Sequence, residues 1–187
     1  MKTLETERLL LRPLTTIDSE RVEELASDYD VAKTTLTIPY PYPKGSAMHF
    51  ITSVLEMEKD GKLAIFAIVD KGTNDLIGII NMNLSLVYQR GELAYWVGKS
   101  YWGQGYGTEA AKVVMKYGFE ELGLNKVFAQ SFTNNPGSWK IMEKIGLKYE
   151  GTLKQHVVRF GEFHDLAHYG LLKEEYLQEA AETVSSD

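Results

Sequence analysis

The stretch Trp102-Gly103-Gln104-Gly105-Tyr106-Gly107-Thr108-Glu109-Ala110 decides how this 187-residue chain is read. Before it, Gly91-Glu92-Leu93-Ala94-Tyr95-Trp96-Val97-Gly98 has the composition of a strand. After it, Ala110, Val113, Val114, Tyr117 and Gly118 recur at helical spacing, which predicts a helix from about Thr108 to Leu122. A strand-to-helix turn presents backbone N–H groups at the positive end of the helix and favours an anion. Glycines at 103, 105 and 107 let that backbone approach a phosphate without Cβ interference, and Thr108 adds a hydroxyl. The same turn can also be a tight connection that binds nothing. A dinucleotide fingerprint needs G-x-G-x-x-G and an acidic residue about 20 positions on. Here the spacing is G-x-G-x-G, and the next strand, Val127-Phe128-Ala129-Gln130-Ser131-Phe132, carries no acid. A P-loop needs Gly-Lys-Ser/Thr, whereas Gly107 is followed directly by Thr108, and the partner motifs of a kinase glycine loop are absent. What remains is a coenzyme pyrophosphate held by amides without a metal.

Working outward, residues 7–14 read as a first strand closed by Pro13, and Thr16 or Asp18 can cap a helix through about Ser27. Residues 29–45 are expected to be irregular, because Pro39, Pro41 and Pro43 alternate with Tyr40 and Tyr42. Ser46 is read as the cap of a second helix ended by Gly61. Lys62–Asp70 and Leu76–Leu86 read as a hairpin, Ser138–Ile145 as a short helix, and Leu147–Leu153 and Asp165–Leu172 as the last strands. This order predicts an α+β fold: a mixed, mostly antiparallel central sheet of about seven strands with flanking helices. Only the Gly91–Phe132 unit demands a parallel crossover. A single domain is expected over residues 1–173, with an acidic, frayed tail at 174–187.

Composition narrows the function classes. Hydrophobic residues make up 44% and charged residues 25%, as in an ordinary globular chain. Cys is absent, which excludes disulfides, thiolate metal sites and cysteine nucleophiles. The net charge of −6, without a Lys/Arg block, argues against nucleic acid as a partner. The acidic N-terminus is unlike a signal peptide and no apolar run is long enough to span a bilayer, so a cytoplasmic address and no membrane partner are expected. His164 and His168 have H-x-x-x-H spacing but lack the Glu of a zinc-binding helix and fall in a strand, so no metal is expected.

Gly103–Ala110 resembles the acetyl-CoA pyrophosphate loop of the GNAT superfamily of N-acetyltransferases. Glu92–Val97 resembles the family's fourth strand, and Asn134-Asn135-Pro136-Gly137-Ser138 through Glu143-Lys144-Ile145-Gly146-Leu147 resembles its N-x-x-S…E-K-x-G-[FL] block. Thr6–Pro13 and Asp165–Leu172 are similar to the ribosomal-protein (Rim-type) branch. Trp102 stands where the superfamily's commonest loop has Arg or Gln, and is read as a marker of that branch. The resemblance covers roughly residues 3–173.

It implies the GNAT acyl-CoA N-acyltransferase fold and transfer of an acetyl group from acetyl-CoA to a primary amine. The acceptor it suggests is a protein N-terminal α-amine such as that of a ribosomal protein. A polyamine, amino acid or antibiotic acceptor, or a non-catalytic acyl-CoA sensor, is the alternative. By the same resemblance, Gln104, Gly105, Tyr106, Gly107 and Thr108 would hold the pyrophosphate. The main chain of Tyr95, Trp96 and Val97 would pair with the pantetheine arm between splayed strands, and the Val97 N–H could polarise the thioester carbonyl. Asn134 bonds the arm or caps its loop, and Ser138 meets the coenzyme sulfur or only caps a helix. Glu92 is either the general base or an edge-strand surface carboxylate. In some relatives the base lies at the position of Val157, beside His156, which leaves His156 or ordered water as alternatives. Tyr40 and Tyr42 are expected to wall the acceptor pocket or to act as a packing clamp. A monomer or homodimer is the expected assembly.

Overall fold

The computed structural model describes residues 2–184. Leu4–Glu5 (β1) and Leu9–Arg12 (β2) come first, then a short turn of 3-10 helix at Thr16–Asp18 and the helices Ser19–Ala26 (α1), Tyr29–Lys33 (α2) and Ser46–Lys59 (α3). Leu63–Asp70 (β3), Leu76–Ser85 (β4) and Arg90–Val97 (β5) precede Tyr106–Glu120 (α4), Lys126–Phe132 (β6) and Pro136–Lys144 (α5). Lys148–Arg159 (β7), Glu162–Leu172 (β8) and Lys173–Val184 (α6) complete the described chain. The strands form one eight-stranded sheet in the order β1-β2-β3-β4-β5-β6-β8-β7. Every neighbouring pair is antiparallel except β5 and β6. This is the mixed α+β sheet read from the sequence, with one strand more: the two-residue β1, which precedes the expected first strand and pairs with β2.

The sheet is covered on both faces, so β3 reads as the nearly unbroken apolar run Leu-Ala-Ile-Phe-Ala-Ile-Val. On one face α4 presents Ala110, Ala111, Val114, Met115 and Phe119 to Phe66, Ile80, Met82 and Leu93. Its small residues let it lie close: a Cβ on Gly118 would come within 3.0 Å of the Met82 side chain. On the other face Val22 of α1 and Ala47, Ile51 and Val54 of α3 pack over Leu63, Ile65 and Ile79.

The feature that makes room for a site is a gap in the sheet. β5 and β6 share three register pairs, Arg90↔Lys126, Gly91↔Val127 and Glu92↔Phe128. Beyond Glu92, β5 stays with β4 through Val97↔Gly78 and β6 stays with β8 through Phe132↔Leu166. The two strands therefore diverge, with Tyr95 and Ser138 at the divergence.

Several boundaries differ from expectation. The stretch expected to be irregular from residue 29 begins with α2, where the Asp28 side chain accepts the Asp30 N–H and caps the helix. Gly45, not Ser46, is the N-cap of α3. Ser138 is the third residue of α5, behind Asn135 at the cap and Pro136 at the first position, so it is not the helix cap. The tail expected to fray is α6: Tyr176 stacks on Phe119 at 4.8 Å, its hydroxyl donates to Glu120 at 2.6 Å, and Lys148 pairs with Glu175 at 2.9 Å. Residues 185–187 of that expectation lie outside the described residues.

Candidate active site

The glycine turn is braced from the N-terminus of the chain. Glu109, in the first turn of α4, accepts the Arg8 main-chain N–H at 2.9 Å, the Arg8 guanidinium at 2.7 Å and the Thr6 hydroxyl. The same guanidinium donates to the Gln104 carbonyl at 2.9 Å and lies over the Tyr106 ring, while the Tyr106 hydroxyl donates to Asp70 at 2.9 Å. This explains why a Thr-Glu-Arg opening and a glycine turn about a hundred residues apart belong to one pattern. Burial pushes the Glu109 carboxyl up, but the Thr6 and Arg8 contacts more than offset it and hold it below the usual range.

Gly103 and Gly105 are left-handed, at φ 71° and 83°, and Gly105 is the N-cap of α4 without a side-chain cap. The first N–H groups of α4 therefore have no capping side chain. A cavity of about 550 Å³ opens in front of them, lined by Gly105, Tyr106, Gly107 and Thr108 among others. Trp102 lines it too and folds its indole back to donate to the Val97 carbonyl at 2.7 Å. That carbonyl already has a partner, and Trp96 is paired with Ile79 in the β4 ladder, which leaves the Tyr95 main chain and the Val97 N–H facing the gap. Lys140 and Lys144 of α5 bring positive charge to the opposite wall. They were missed in the sequence, although their i, i+4 spacing on the helix after the Asn134–Ser138 block is a visible signal.

Two expected residues take other places. Gln104 is exposed, lies off the cavity wall and donates to the Ser100 carbonyl at 3.1 Å. Asn134 lines neither cavity, whereas Asn135 does and donates to the Thr34 carbonyl at 3.3 Å. Gly107 also packs closely against α5: a Cβ there would meet the tip of the Ile141 side chain at 2.8 Å, which would have to shift.

A second cavity, of about 600 Å³, lies on the α1–α3 face. Asn83, Glu92 and Phe128 are cross-strand partners, Asn81 pairs with Ala94, and Gln130 follows Phe128 by two, so Asn81, Asn83, Glu92 and Gln130 share one face of the sheet. All four line the floor. Burial raises the Glu92 pKa, opposed by the positive influence of His168, by Asn83 and by Arg90. Glu92 is thus a half-buried cavity carboxylate and not an edge-strand surface group. The neighbouring His168 has a buried Nε2 without a hydrogen-bond partner. His156 is exposed and, like Val157, lines neither cavity.

The roof is the segment 34–39 together with Tyr42, Phe50 and Met57. Arg159, near the tip of the β7–β8 hairpin, donates to the carbonyls of Thr35 at 2.9 Å, Ala32 at 3.1 Å and Ile38. Tyr40 does not line the cavity; it packs on Tyr29, which touches Phe160, so it braces the roof from outside.

The two cavities meet at the strand gap, where Thr34, Thr35, Tyr95, Trp96 and Ser138 line both. The Tyr95 hydroxyl donates to the Ser138 carbonyl at 2.9 Å, and the Ser138 hydroxyl lies 3.4 Å from the Tyr95 oxygen. Burial raises the Tyr95 pKa, which keeps the phenol neutral. Among the described residues, no group of three or more His, Cys, Asp or Glu is arranged to hold a metal, and no helix is long and apolar enough to cross a membrane.

An anion-binding turn joined through a hydroxyl-lined gap to a carboxylate-bearing cavity suits transfer from a phosphate-tagged carrier to a second molecule. Residues 8–148 match the model of the acetyltransferase (GNAT) domain. The uncharacterized N-acetyltransferase p20 of Bacillus licheniformis is 30% identical over 177 residues, covering 94% of this chain and 99% of that protein. The putative ribosomal N-acetyltransferase YdaF of Bacillus subtilis is 37% identical over 102 residues, 54% of this chain and 56% of that protein. A solved structure described as a probable acetyltransferase superposes with a TM-score of 0.85 at 28% identity, covering 93% of this chain and 98% of that one. The chain belongs to the GNAT acetyltransferase family and is an acetyl-CoA-dependent N-acetyltransferase.

Proposed function

We propose that the enzyme acetylates a protein N-terminal α-amine, such as that of a ribosomal protein, held in the Glu92 cavity while acetyl-CoA occupies the cavity beside the glycine turn. The observation that carries this reading is the junction: Tyr95, Trp96 and Ser138 line both cavities, so a thioester and an amine can meet there without a covalent enzyme intermediate. The likeness to YdaF supports a ribosomal-protein acceptor.

The amides of the 105–108 turn, with Lys140 and Lys144, hold the coenzyme phosphates by hydrogen bonds and charge. Glu92 takes a proton from the incoming ammonium, directly or through one water. The amine nitrogen then attacks the thioester carbon, and the Val97 N–H polarises its oxygen. The carbon–sulfur bond breaks, and Ser138 relays the remaining amine proton to the departing thiolate. The products are the N-acetyl amide, free coenzyme thiol and the proton left on Glu92, which passes to solvent.

Release of coenzyme thiol from acetyl-CoA, measured with a peptide bearing a free N-terminus, tests this. Ser138→Ala should lower kcat about 10- to 100-fold with little change in acetyl-CoA affinity. A wild-type kcat in Ser138→Ala would remove Ser138 from the chemistry.

A further inference from the structure

The floor of the Glu92 cavity is polar but carries little charge. Among the described residues, Glu92 is the one charged side chain that lines it; Asn81, Asn83 and Gln130 are carboxamides, and the walls are apolar or hydroxylic. Glu23, which acts on Tyr42, lies outside the lining and accepts the Gly45 N–H at 2.8 Å on one of its two carboxylate oxygens.

Two consequences follow from the chemistry of these groups. One carboxylate can balance one ammonium. A second ammonium drawn into the same cavity would lose water without gaining a counter-charge, which is costly. Each carboxamide both donates and accepts hydrogen bonds, and the 3.4 Å contact between Asn81 and Asn83 uses only part of that capacity. Such groups match a peptide unit, which offers both an N–H and a C=O. They match a polyamine poorly, since its charged nitrogens only donate.

We propose that this cavity selects a singly charged amine followed by an uncharged amide, the start of a peptide with neutral first residues, and rejects polyamines through its lack of a second carboxylate. The inference rests on the assignment of this cavity to the amine acceptor. Asn81, Asn83 and Gln130 are its specificity-determining residues.

The test compares the peptide amide Ser-Ala-Ala-NH₂ with spermidine, both at saturating acetyl-CoA. The peptide should have a kcat/KM at least about 100-fold higher. Gln130→Glu supplies the missing carboxylate and should narrow that ratio about tenfold or more, by raising activity on spermidine. Asn81→Asp does the same from β4, on the other side of β5, should Gln130→Glu fail to fold. Equal or better use of spermidine by the wild type, or a ratio unmoved in a folded acid variant, would overturn the selectivity while leaving an amine acetyltransferase in place. Acetyl-CoA binding with no turnover of either amine would overturn both the acceptor reading and the selectivity built on it.

Discussion

The two cavities are close in size, about 550 and 600 Å³, but are built from different materials. The proposed coenzyme side is built around main chain, with left-handed glycines and a helix start, to which two lysine side chains add charge; most of it lies within residues 95–108 and 135–144. The acceptor side consists of side chains from β4, β5 and β6, roofed by a segment that Arg159 holds by its carbonyls. On the proposed assignment, main chain would recognise a part of the substrate that never changes, the phosphate and pantetheine common to every reaction of this kind. Side chains recognise the part that differs from one enzyme to the next. The contrast teaches where each kind of mutation should be felt.

The largest effect is expected at Glu92. Glu92→Gln should lower the turnover rate at neutral pH by about 100-fold or more, with acetyl-CoA affinity unchanged. The loss should be greatest below about pH 8, where an α-amine is mostly protonated, and should shrink above it as free amine becomes available. Because burial raises the Glu92 pKa, the neutral carboxyl favours the folded state, and that contribution disappears as pH rises through the folded pKa. Glu92→Gln should therefore melt higher than wild type at neutral pH, and the difference should close in acid. A wild-type rate profile in Glu92→Gln would break the division between the two cavities at its most important residue.

Charge reversal on the other side comes next. Lys140→Glu combined with Lys144→Glu should weaken acetyl-CoA about 10- to 100-fold, more at low salt, while the acceptor KM stays near wild type. The smallest effect sharpens the roof. Tyr42→Ala should raise the acceptor KM several-fold, about 1 kcal/mol of lost contact, and Tyr40→Ala should raise it less, since only Tyr42 reaches the cavity. A loss of coenzyme affinity in Tyr42→Ala would place the roof on the wrong side.

The same contrast explains what could be read from the sequence. The glycine turn, Tyr95–Val97 and the Ser138 block are local, so their spacing carries the information, and the sheet follows from strands separated by single helices. Gln104 and Asn134 were misplaced because residue spacing fixes the turn but not which side chains leave the cavity. The packing of Gly107 against Ile141 is visible only when α4 and α5 are brought together. Asn81, Asn83 and Gln130 carry no signature at all. They become a site through register, Asn83 opposite Glu92 and Glu92 opposite Phe128, and register is set by the whole sheet. Arg159 is similar: an arginine near a hairpin tip gains its meaning from three carbonyls more than a hundred residues away.

On the proposed mechanism, acetyl-CoA and the amine acceptor meet through the gap at Tyr95 and Ser138, where the two cavities join. A crystal structure with a bisubstrate compound, coenzyme A joined through an acetyl bridge to the N-terminus of a short peptide, tests it most directly. The pyrophosphate is expected on the amides of residues 105–108, the bridge beside Ser138, and the first peptide nitrogen facing Glu92 with its amide on the carboxamide floor. A peptide portion leaving the gap away from Glu92, or phosphates bound elsewhere than the glycine turn, would contradict it.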